Sequence, residues 1–529
     1  MKDWVGKNRF PILLGIGLVI FEMIFFGLLW LSAPNGQQWL GDSISNSSDL
    51  AVYLSYLKQG SQGHMLLGNL YATEPHALRF DPYWSVLGLL ARSGMDARLL
   101  HEISRWLASV LLVFVLYVAA KDLTRSEKHA RWTTVLSLLG LNAGWLYTIW
   151  IYFFGVWRWK TETAADVSTE FSAFYILLGG SHMILSLALL ICGLRWSWQA
   201  ISQSSMRQAW KAALVSAYLF SFHPYFIALF GIYFLIALHQ HRKTLGMKNI
   251  VRFSAVLSTS LIPAFIIYAP LVFDKVFATH HLEDNQLGLS PALSWVATLL
   301  PTAIALAWRW KKRIAFRNEE RWILAWIGAS VFCLLLPLPW KRKVTEGWSV
   351  ALLYLGLPLW LTIGDWAASR RPKFMAWIMS GLMFVAASFG AFHLVTTQLS
   401  WIKAPEWKIY FYRPESVFAA WRYLENKDGR AIITADNFWI NCWTPPYTGK
   451  TTWVGHDHES PDFKNKYGLW QRLTETRDGK EAQDILEQAG VTDLMITSED
   501  SLDRFTELLP KDEWRPVFTQ DQVTVLERD

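Results

Sequence analysis

An acidic residue, Asp49, follows the first long apolar segment of the chain, in the stretch NSSDLAVYLSYLKQG. Asp49, Tyr53 and Tyr56 are spaced at i, i+4 and i+7, so a helix would place them on one face. A carboxylate can take a proton from a hydroxyl nucleophile, and aromatic rings can stack on sugar rings. The spacing therefore indicates a general-base site, although NSSD before an apolar run is also a typical helix start, with a capping role for its polar residues.

A basic group, Lys341, Arg342 and Lys343, occurs much later, in PLPWKRKVTEGW. Three neighbouring cations can hold a phosphate or pyrophosphate through charge-assisted hydrogen bonds. The alternation of basic loops described below assigns this segment to the same side as Asp49, where few basic residues are expected. A miscounted topology or a solvated turn is the alternative interpretation.

Other ionisable side chains flank or enter apolar segments, where such groups are costly and often functional. They are Glu74, His76, Asp81, Glu170, His182 and His223. For His223 a purely structural role is as good an explanation, because Pro224 follows it and favours a turn.

Two further clusters contain metal-ligand residue types. They are His280, His281, Glu283 and Asp284 in one segment, and GHDHES at residues 455–460 in another. Neither cluster supplies a complete set of metal ligands. The better interpretation of the first is an ordinary polar loop, and that of GHDHES is a surface turn.

The composition indicates what kind of protein holds these residues in place. Of 529 residues, 52% are hydrophobic and only 18% are charged, against about 25% charged in soluble domains. This indicates an integral membrane protein. The net charge of +7 lies mostly between apolar segments, so membrane topology explains it better than nucleic-acid binding. The three cysteines form no disulfide or zinc pattern.

Eleven apolar segments are predicted. Residues 10–31 are long enough to cross about 30 Å of hydrocarbon and are read as a retained helix rather than a cleaved signal. Two short segments, 212–222 and 225–238, are broken at His223-Pro224 and predict a hairpin that returns to the same side. The others are predicted at 104–120, 132–154, 171–194, 253–273, 293–308, 322–338, 348–363 and 374–395.

Basic residues concentrate in alternate loops, so the positive-inside rule places the N-terminus in the cytoplasm and Asp49 outside. From residue 403 onward the chain is polar, with predicted strands at 430–435, 451–455 and 492–498 and helical periodicity over 463–489, and it closes with QVTVLERD. The expected fold is an all-α polytopic membrane domain over 1–400 and a small extracytoplasmic α/β domain over 401–529.

This layout resembles the GT-C superfamily of polytopic membrane glycosyltransferases, and within it uncharacterised bacterial members. The resemblance rests on an acidic residue soon after the first span, a short-helix pair and a C-terminal soluble domain. It also rests on motifs at residues 49–60, 69–76 (NLYATEPH), 179–189 (GGSHMILSLAL), 223–225 (HPY) and 341–347.

The resemblance implies a role for each site residue. Asp49 would be the general base, and Lys341, Arg342 or Lys343 would grip the donor phosphate. The residues expected to line the cavity are Tyr53, Tyr56, Glu74, His76, Asp81, Glu170, His182 and His223. No D-x-D triplet is present, since Asp42 is seven residues before Asp49. Whether the reaction uses a divalent cation is therefore left open, and the sequence requires no cofactor.

The implied reaction is an inverting transfer from a polyprenyl-phosphate-linked sugar to a lipid, glycan or protein acceptor. It would occur at the outer face of a bacterial plasma membrane, with membrane lipid and no nucleic acid as partner. Two alternatives remain. One is a transporter or flippase of a lipid-linked glycan, although no internal repeat is evident. The other is a non-catalytic assembly protein of the membrane.

Overall fold

The computed structural model describes residues 8–41, 47–140, 143–144, 146–147, 171–274, 276, 292–338, 340–369, 391–392, 395–396, 399–400, 410–429 and 431–529. The chain divides into two compact units. Unit 1 comprises Met1–Phe25, Ile103–Phe265 and Gln286–Leu399, and unit 2 comprises Phe26–Glu102, Ile266–Asn285 and Ser400–Asp529.

Unit 1 is built of helices in its described part. α1, α4 and α11 each begin in one unit and end in the other. The helices are α1 (Arg9–Leu31), α4 (Ala97–Thr124), α5 (Glu127–Leu139), α6 (Ala173–Leu178), α7 (Ser181–Ser202), α8 (Met206–Phe222), α9 (Phe226–His241), α10 (Met247–Ser258), α11 (Leu261–Val272), α12 (Ala292–Lys311), α13 (Asn318–Leu335) and α14 (Trp348–Ser369), with a 3₁₀ turn at Lys341–Thr345 before α14.

Several of these helices suit a bilayer. Within the described residues, α1, α4, α7 and the segment Lys341–Trp366 are long and apolar enough to cross a membrane, and the pair α10–α11, bent by 46°, makes a fifth if it is one span. Large apolar side chains of α1, among them Leu13, Ile20 and Leu31, are exposed, which suits lipid rather than water. The chain is therefore a multi-pass membrane protein, and the count of eleven segments stays a prediction.

The predicted break at His223-Pro224 is confirmed. α8 ends at Phe222, His223 caps it with its backbone N–H on the carbonyl of Leu219, and α9 begins at Phe226. The return of this pair to one side of the membrane stays a prediction.

Unit 2 contains a short ribbon and a five-stranded sheet. β1 (Gln37–Trp39) pairs antiparallel with β2 (Tyr412–Pro414). The sheet has the order β4-β3-β5-β7-β6, with β3 parallel to β4 and β5, and β7 antiparallel to β5 and β6. Its strands are β3 (Ile432–Ala435), β4 (Thr451–Thr452), β5 (Asp493–Ile496), β6 (Trp514–Gln520) and β7 (Val523–Arg528).

In the sequence, the helices of unit 2 come before the first strand of this sheet or between its strands. They are α2 (Ser47–Ser61), α3 (Pro82–Ala91), α15 (Glu415–Glu425), α16 (Phe438–Thr448), α17 (Phe463–Glu475), α18 (Gly479–Gln488) and α19 (Glu499–Leu508). The three predicted strands are confirmed as β3, β4 and β5, and the closing stretch of the chain forms β7, which was not predicted as a strand. The helical segment predicted over 463–489 is interrupted at Thr476, where the backbone turns extended and α17 ends.

Two glycines allow α2 and α3 to touch. A Cβ added at Gly60 would lie 2.5 Å from the Cα of Gly88, and one at Gly88 would lie 2.7 Å from the Cα of Gly60. The two backbones therefore pack directly on each other, which only the absence of both side chains permits. This contact fixes the end of α2 opposite to Asp49.

We predict that Gly60→Ala destabilises the protein by about 1–3 kcal/mol, because its methyl group would overlap rigid backbone. The matched control is Gly468→Ala in α17 of the same unit, where an added Cβ meets nothing within 4 Å. Alanine there should hold or raise stability, since it favours helix over glycine. Thermal unfolding of the protein in detergent compares the two, and equal Tm values would contradict the packing argument.

Candidate active site

Asp49 lies in the first turn of α2, which begins at Ser47. It is therefore inside the helix, and the cap position at residue 46 falls outside the described residues. A carboxylate in the first turn interacts favourably with the positive end of the helix dipole. About a third of the Asp49 side chain, 36%, remains accessible. The group is thus both held by the helix and open to a reactant.

His456 faces Asp49 from the loop that follows β4. Its side chain is 1% exposed, and its Nε2 lies 3.3 Å from Asp49 Oδ1. Within the described part of the chain, Nε2 has no other hydrogen-bond partner. The ring of Tyr71 packs edge-on against the imidazole, with 5.7 Å between centroids.

The other ring nitrogen of His456 is fixed by the backbone. Nδ1 accepts hydrogen bonds from the N–H groups of His458 and Glu459, at 2.9 and 3.1 Å. The loop is closed further by Ser460, whose Oγ accepts from the N–H of His456 at 3.2 Å. Burial opposes charging of the imidazole, but the carboxylates of Asp49 and Glu459 outweigh it and raise the pKa of His456 above its ordinary value.

The segment at residues 69–76 packs against the same C-terminal loop. Asn69 Nδ2 donates to the carbonyl of Glu459 at 2.7 Å, and Tyr71 Oη donates to the carbonyl of Cys442 at 2.8 Å. Glu74 pairs with the largely buried Lys466, with 2.7 Å between Oε1 and Nζ. These contacts link the predicted residue Glu74 to α17, which sequence reasoning did not connect to it.

His76 closes this segment on itself. Its Nε2 accepts from the N–H of Asn69 at 2.9 Å, and its Nδ1 lies 2.8 Å from the carbonyl oxygen of Glu74, to which it donates. Both nitrogens are therefore used in shaping the loop, and the neutral ring suffices for both bonds.

Tyr53 and Tyr56 do lie on the Asp49-bearing helix. Tyr53 stacks on Trp84 of α3 at 4.9 Å between centroids, and the guanidinium of Arg79 lies over the ring of Tyr56 at 4.9 Å. Burial, with the nearby charge of Asp49, raises the pKa of Tyr53 well above its ordinary value, so the phenol stays neutral. A narrow pocket of about 40 Å³ is lined by Tyr56, Leu67, Gly68, Asn69, His76, Ala77, Arg79, Leu271, Asp274, Val276 and Glu459.

Asp81 has a structural task. It is the N-cap of α3, where its Oδ1 accepts from the N–H groups of Tyr83 and Trp84 at 3.0 and 3.1 Å, and Pro82 occupies the first helical position. Its carboxylate is buried, which raises its pKa, although the charge of Arg79 and the two cap bonds oppose the shift.

The predicted cationic group lies in unit 1, on the 3₁₀ turn Lys341–Thr345. Lys343 Nζ lies 6.0 Å from the centre of the Tyr225 ring, and Tyr225 Oη is 2.6 Å from His223 Nδ1. The ring of His223 meets that of His182 edge-on at 5.3 Å. Three predicted residues, Lys343, His223 and His182, are thus brought together through Tyr225.

Glu346 and Gly347 fix the position of this turn. The carboxylate of Glu346 is fully buried and accepts a hydrogen bond from Ser186 Oγ on α7. Gly347 has φ +73°, a conformation that favours glycine, and a Cβ there would lie 2.4 Å from Leu187 Cδ1, so a larger residue would also have to displace that side chain. The turn is therefore locked onto α7, the helix that carries His182.

The structure groups the predicted residues into two sets, one per unit. Asp49, Tyr53, Tyr56, Glu74, His76 and Asp81 lie in unit 2, whereas Lys341, Arg342, Lys343, His182 and His223 lie in unit 1. The convergence of Asp49 with the cationic turn stays a prediction. Glu170 and the cluster at residues 280–284 lie outside the described residues. Among the residues that are described, no group of three or more His, Cys, Asp or Glu could hold a metal ion.

Sequence reasoning missed His456, which it assigned to a surface turn, as well as Lys466 and Glu346. Only GHDHES gave any signal, because a histidine flanked by acidic residues after a buried strand is a candidate functional loop. Nothing in the sequence relates residue 456 to residue 49.

Neither a protein-family model nor a curated protein matches this sequence. Solved structures do match. ArnT from Cupriavidus metallidurans bound to undecaprenyl phosphate has a TM-score of 0.53 and 10% identity, over 99% of this chain and 98% of that chain. The arabinofuranosyltransferase AftD from Mycobacteria has a TM-score of 0.54 and 14% identity, over 98% of this chain and 41% of that chain.

A weaker likeness, with a TM-score of 0.42 and 12% identity, is to an Archaeoglobus fulgidus oligosaccharyltransferase, over 94% of this chain and 71% of that chain. The two stronger matches are glycosyltransferases of the GT-C type. The chain therefore has the GT-C fold of polytopic membrane glycosyltransferases, and the resemblance noted in its sequence is confirmed at the level of the fold. The bacterial branch stays a prediction.

We predict that Asp81→Asn retains both cap bonds and leaves stability unchanged, whereas Asp81→Ala costs about 1 kcal/mol because two N–H groups lose their acceptor. Thermal unfolding of both variants measures this. Loss of ligand binding or turnover in Asp81→Asn with an unchanged Tm would give Asp81 a chemical role in addition to the capping role.

Proposed function

We propose that this protein is a membrane glycosyltransferase. It transfers a sugar from a polyprenyl-phosphate-linked donor to a hydroxyl of a lipid, glycan or protein acceptor at the outer face of the membrane. The observation that carries the proposal is the carboxylate of Asp49. It is held in the first turn of a helix next to the first membrane segment, in a GT-C fold, and stays partly accessible.

Asp49 acts as the general base. Its carboxylate takes the proton of the acceptor hydroxyl as the oxygen attacks the anomeric carbon. The bond between that carbon and the donor phosphate breaks on the opposite side, so the configuration inverts. Polyprenyl phosphate leaves with one more negative charge than it carried as the diester.

The cationic turn meets this developing charge. Lys341, Arg342 and Lys343 offer N–H donors that bind a phosphate more tightly as its charge grows, which lowers the barrier. Of the three, we assign the main contact to Lys343, which lies beside Tyr225 in the cluster that includes His223 and His182. The donor enters sideways from the lipid and the acceptor from the aqueous side.

We predict that Asp49→Asn lowers kcat at least a hundredfold, because the amide cannot accept the proton, while donor binding persists. Sugar transfer from undecaprenyl-phosphate-linked pentoses and hexoses in proteoliposomes measures this, with donor binding assayed separately. Transfer at the original rate by a folded Asp49→Asn variant would remove Asp49 as the base. Translocation of the donor without transfer by the unmodified protein would instead identify a flippase.

We predict that Lys343→Met raises KM for the donor about ten- to a hundredfold, because a charge-assisted bond to phosphate is lost, and that Lys343→Arg restores most of the affinity. The control is Lys248→Met, at an exposed lysine of α10 that lies outside the proposed site. Equal KM values for Lys343→Met and Lys248→Met would show that the turn does not bind the donor.

A further inference from the structure

The loop at residues 455–460 presents one buried nitrogen to Asp49. His456 Nε2 lies 3.3 Å from Asp49 Oδ1 and has no other hydrogen-bond partner among the residues that the structure describes. A buried polar nitrogen is normally hydrogen-bonded, since leaving it unsatisfied costs free energy. The carboxylate of Asp49 is the acceptor within reach.

The other nitrogen decides where the proton lies. Nδ1 of His456 accepts two backbone N–H groups, so in the neutral ring the proton must be on Nε2. In the charged ring Nε2 carries a proton as well. The atom that faces Asp49 is therefore a donor in either state, and this holds whatever the protonation of the ring.

We propose that His456 is a positioning residue that orients Asp49 and keeps it ionised for the transfer reaction. This inference rests on the proposed role of Asp49 as the base. A donor at 3.3 Å favours the carboxylate form, holds one of its oxygens, and leaves the accessible part of the group to the acceptor hydroxyl. Such bonds are often long without substrate and shorten when the reactants bind.

Several charged groups share this environment and bear on its pH dependence. Tyr53 and Tyr71 face it as neutral phenols. Glu459 and Asp457 add negative charge around the imidazole, and Arg79 offsets it at Tyr53. His458 lies with its ring centre 6.1 Å from that of His456. Of these neighbours, none accepts a hydrogen bond from Nε2, so removing the donor at His456 Nε2 isolates its effect on Asp49.

Two substitutions separate the two ring nitrogens. In His456→Asn the amide oxygen can replace Nδ1 as the acceptor of the loop N–H groups, but no donor reaches Asp49. In His456→Gln the longer side chain places an N–H donor near the Nε2 position. The matched control is His458→Asn, the same change two residues along the same loop at a side chain that is 41% exposed.

In the kinetic experiment, kcat/KM for an undecaprenyl-phosphate-linked sugar is measured against pH. We expect His456→Asn to lower kcat/KM roughly ten- to a hundredfold, mainly through kcat. We also expect it to move the acidic limb of the profile up by about half to one pH unit, because the carboxylate is protonated more readily. His456→Gln should recover part of the lost kcat/KM and part of the shift in the pH profile. His458→Asn should match the unmodified protein in both. An unshifted profile in His456→Asn would overturn the proposal.

In the second experiment, ¹⁵N-histidine NMR of the full-length protein in nanodiscs reports the ring directly, with the His456 signals assigned by their loss in His456→Asn. At high pH we expect the neutral imidazole of His456 to carry its proton on Nε2. In Asp49→Asn we expect the midpoint of the His456 titration to fall to lower pH. A proton on Nδ1, or a midpoint unchanged by Asp49→Asn, would overturn the pairing. If Asp49→Asn moves the midpoint but leaves transfer intact, the pairing stands and the proposed base is wrong.

Discussion

The segment at residues 69–76 holds the Asp49-bearing part of unit 2 to its C-terminal sheet, and the candidate site depends on it. The carbonyl of Leu70 accepts from the N–H of Thr452 in β4, which continues the edge of the sheet, and Tyr71 reaches the carbonyl of Cys442 on α16. These bonds join distant parts of the sequence, and Tyr71 and Cys442 are 371 positions apart. Because they are backbone-directed, they position α2 without needing particular side chains on the sheet.

The contacts of the segment at residues 69–76 also hold the loop after β4 in position. Asn69 binds the carbonyl of Glu459, and the ring of Tyr71 packs against His456, so the same short segment contacts the loop at two points. The imidazole is then fixed from the other side by N–H groups of its own loop. A histidine held on both sides has little rotational freedom, and this preorganisation is what a group that orients a catalytic carboxylate requires.

In unit 1 a comparable task falls to a buried carboxylate. Glu346 closes the turn that carries the three basic residues and is anchored to α7 through Ser186, while Gly347 lets the chain pass close to Leu187. A turn that presents cations is thereby tied to the helix that carries His182. The carboxylate of Glu346 also offsets part of the positive charge of the three basic residues, whose mutual repulsion would otherwise oppose the folding of the turn.

The sequence by itself determined the membrane character, the break at His223, the three strands β3, β4 and β5, and the residue types on which the proposal rests. These follow from local composition and periodicity, which act over a few residues. The division of 463–489 into α17 and α18, and the strands β6 and β7, were not predicted, because their patterns are weak without their neighbours in the fold. Only the tertiary structure decided that His456 faces Asp49, that Lys466 pairs with Glu74 and that Lys343 lies beside Tyr225. Each of these contacts joins distant parts of the chain, and a single sequence carries no physical signal for a contact that only the packing of the whole unit creates.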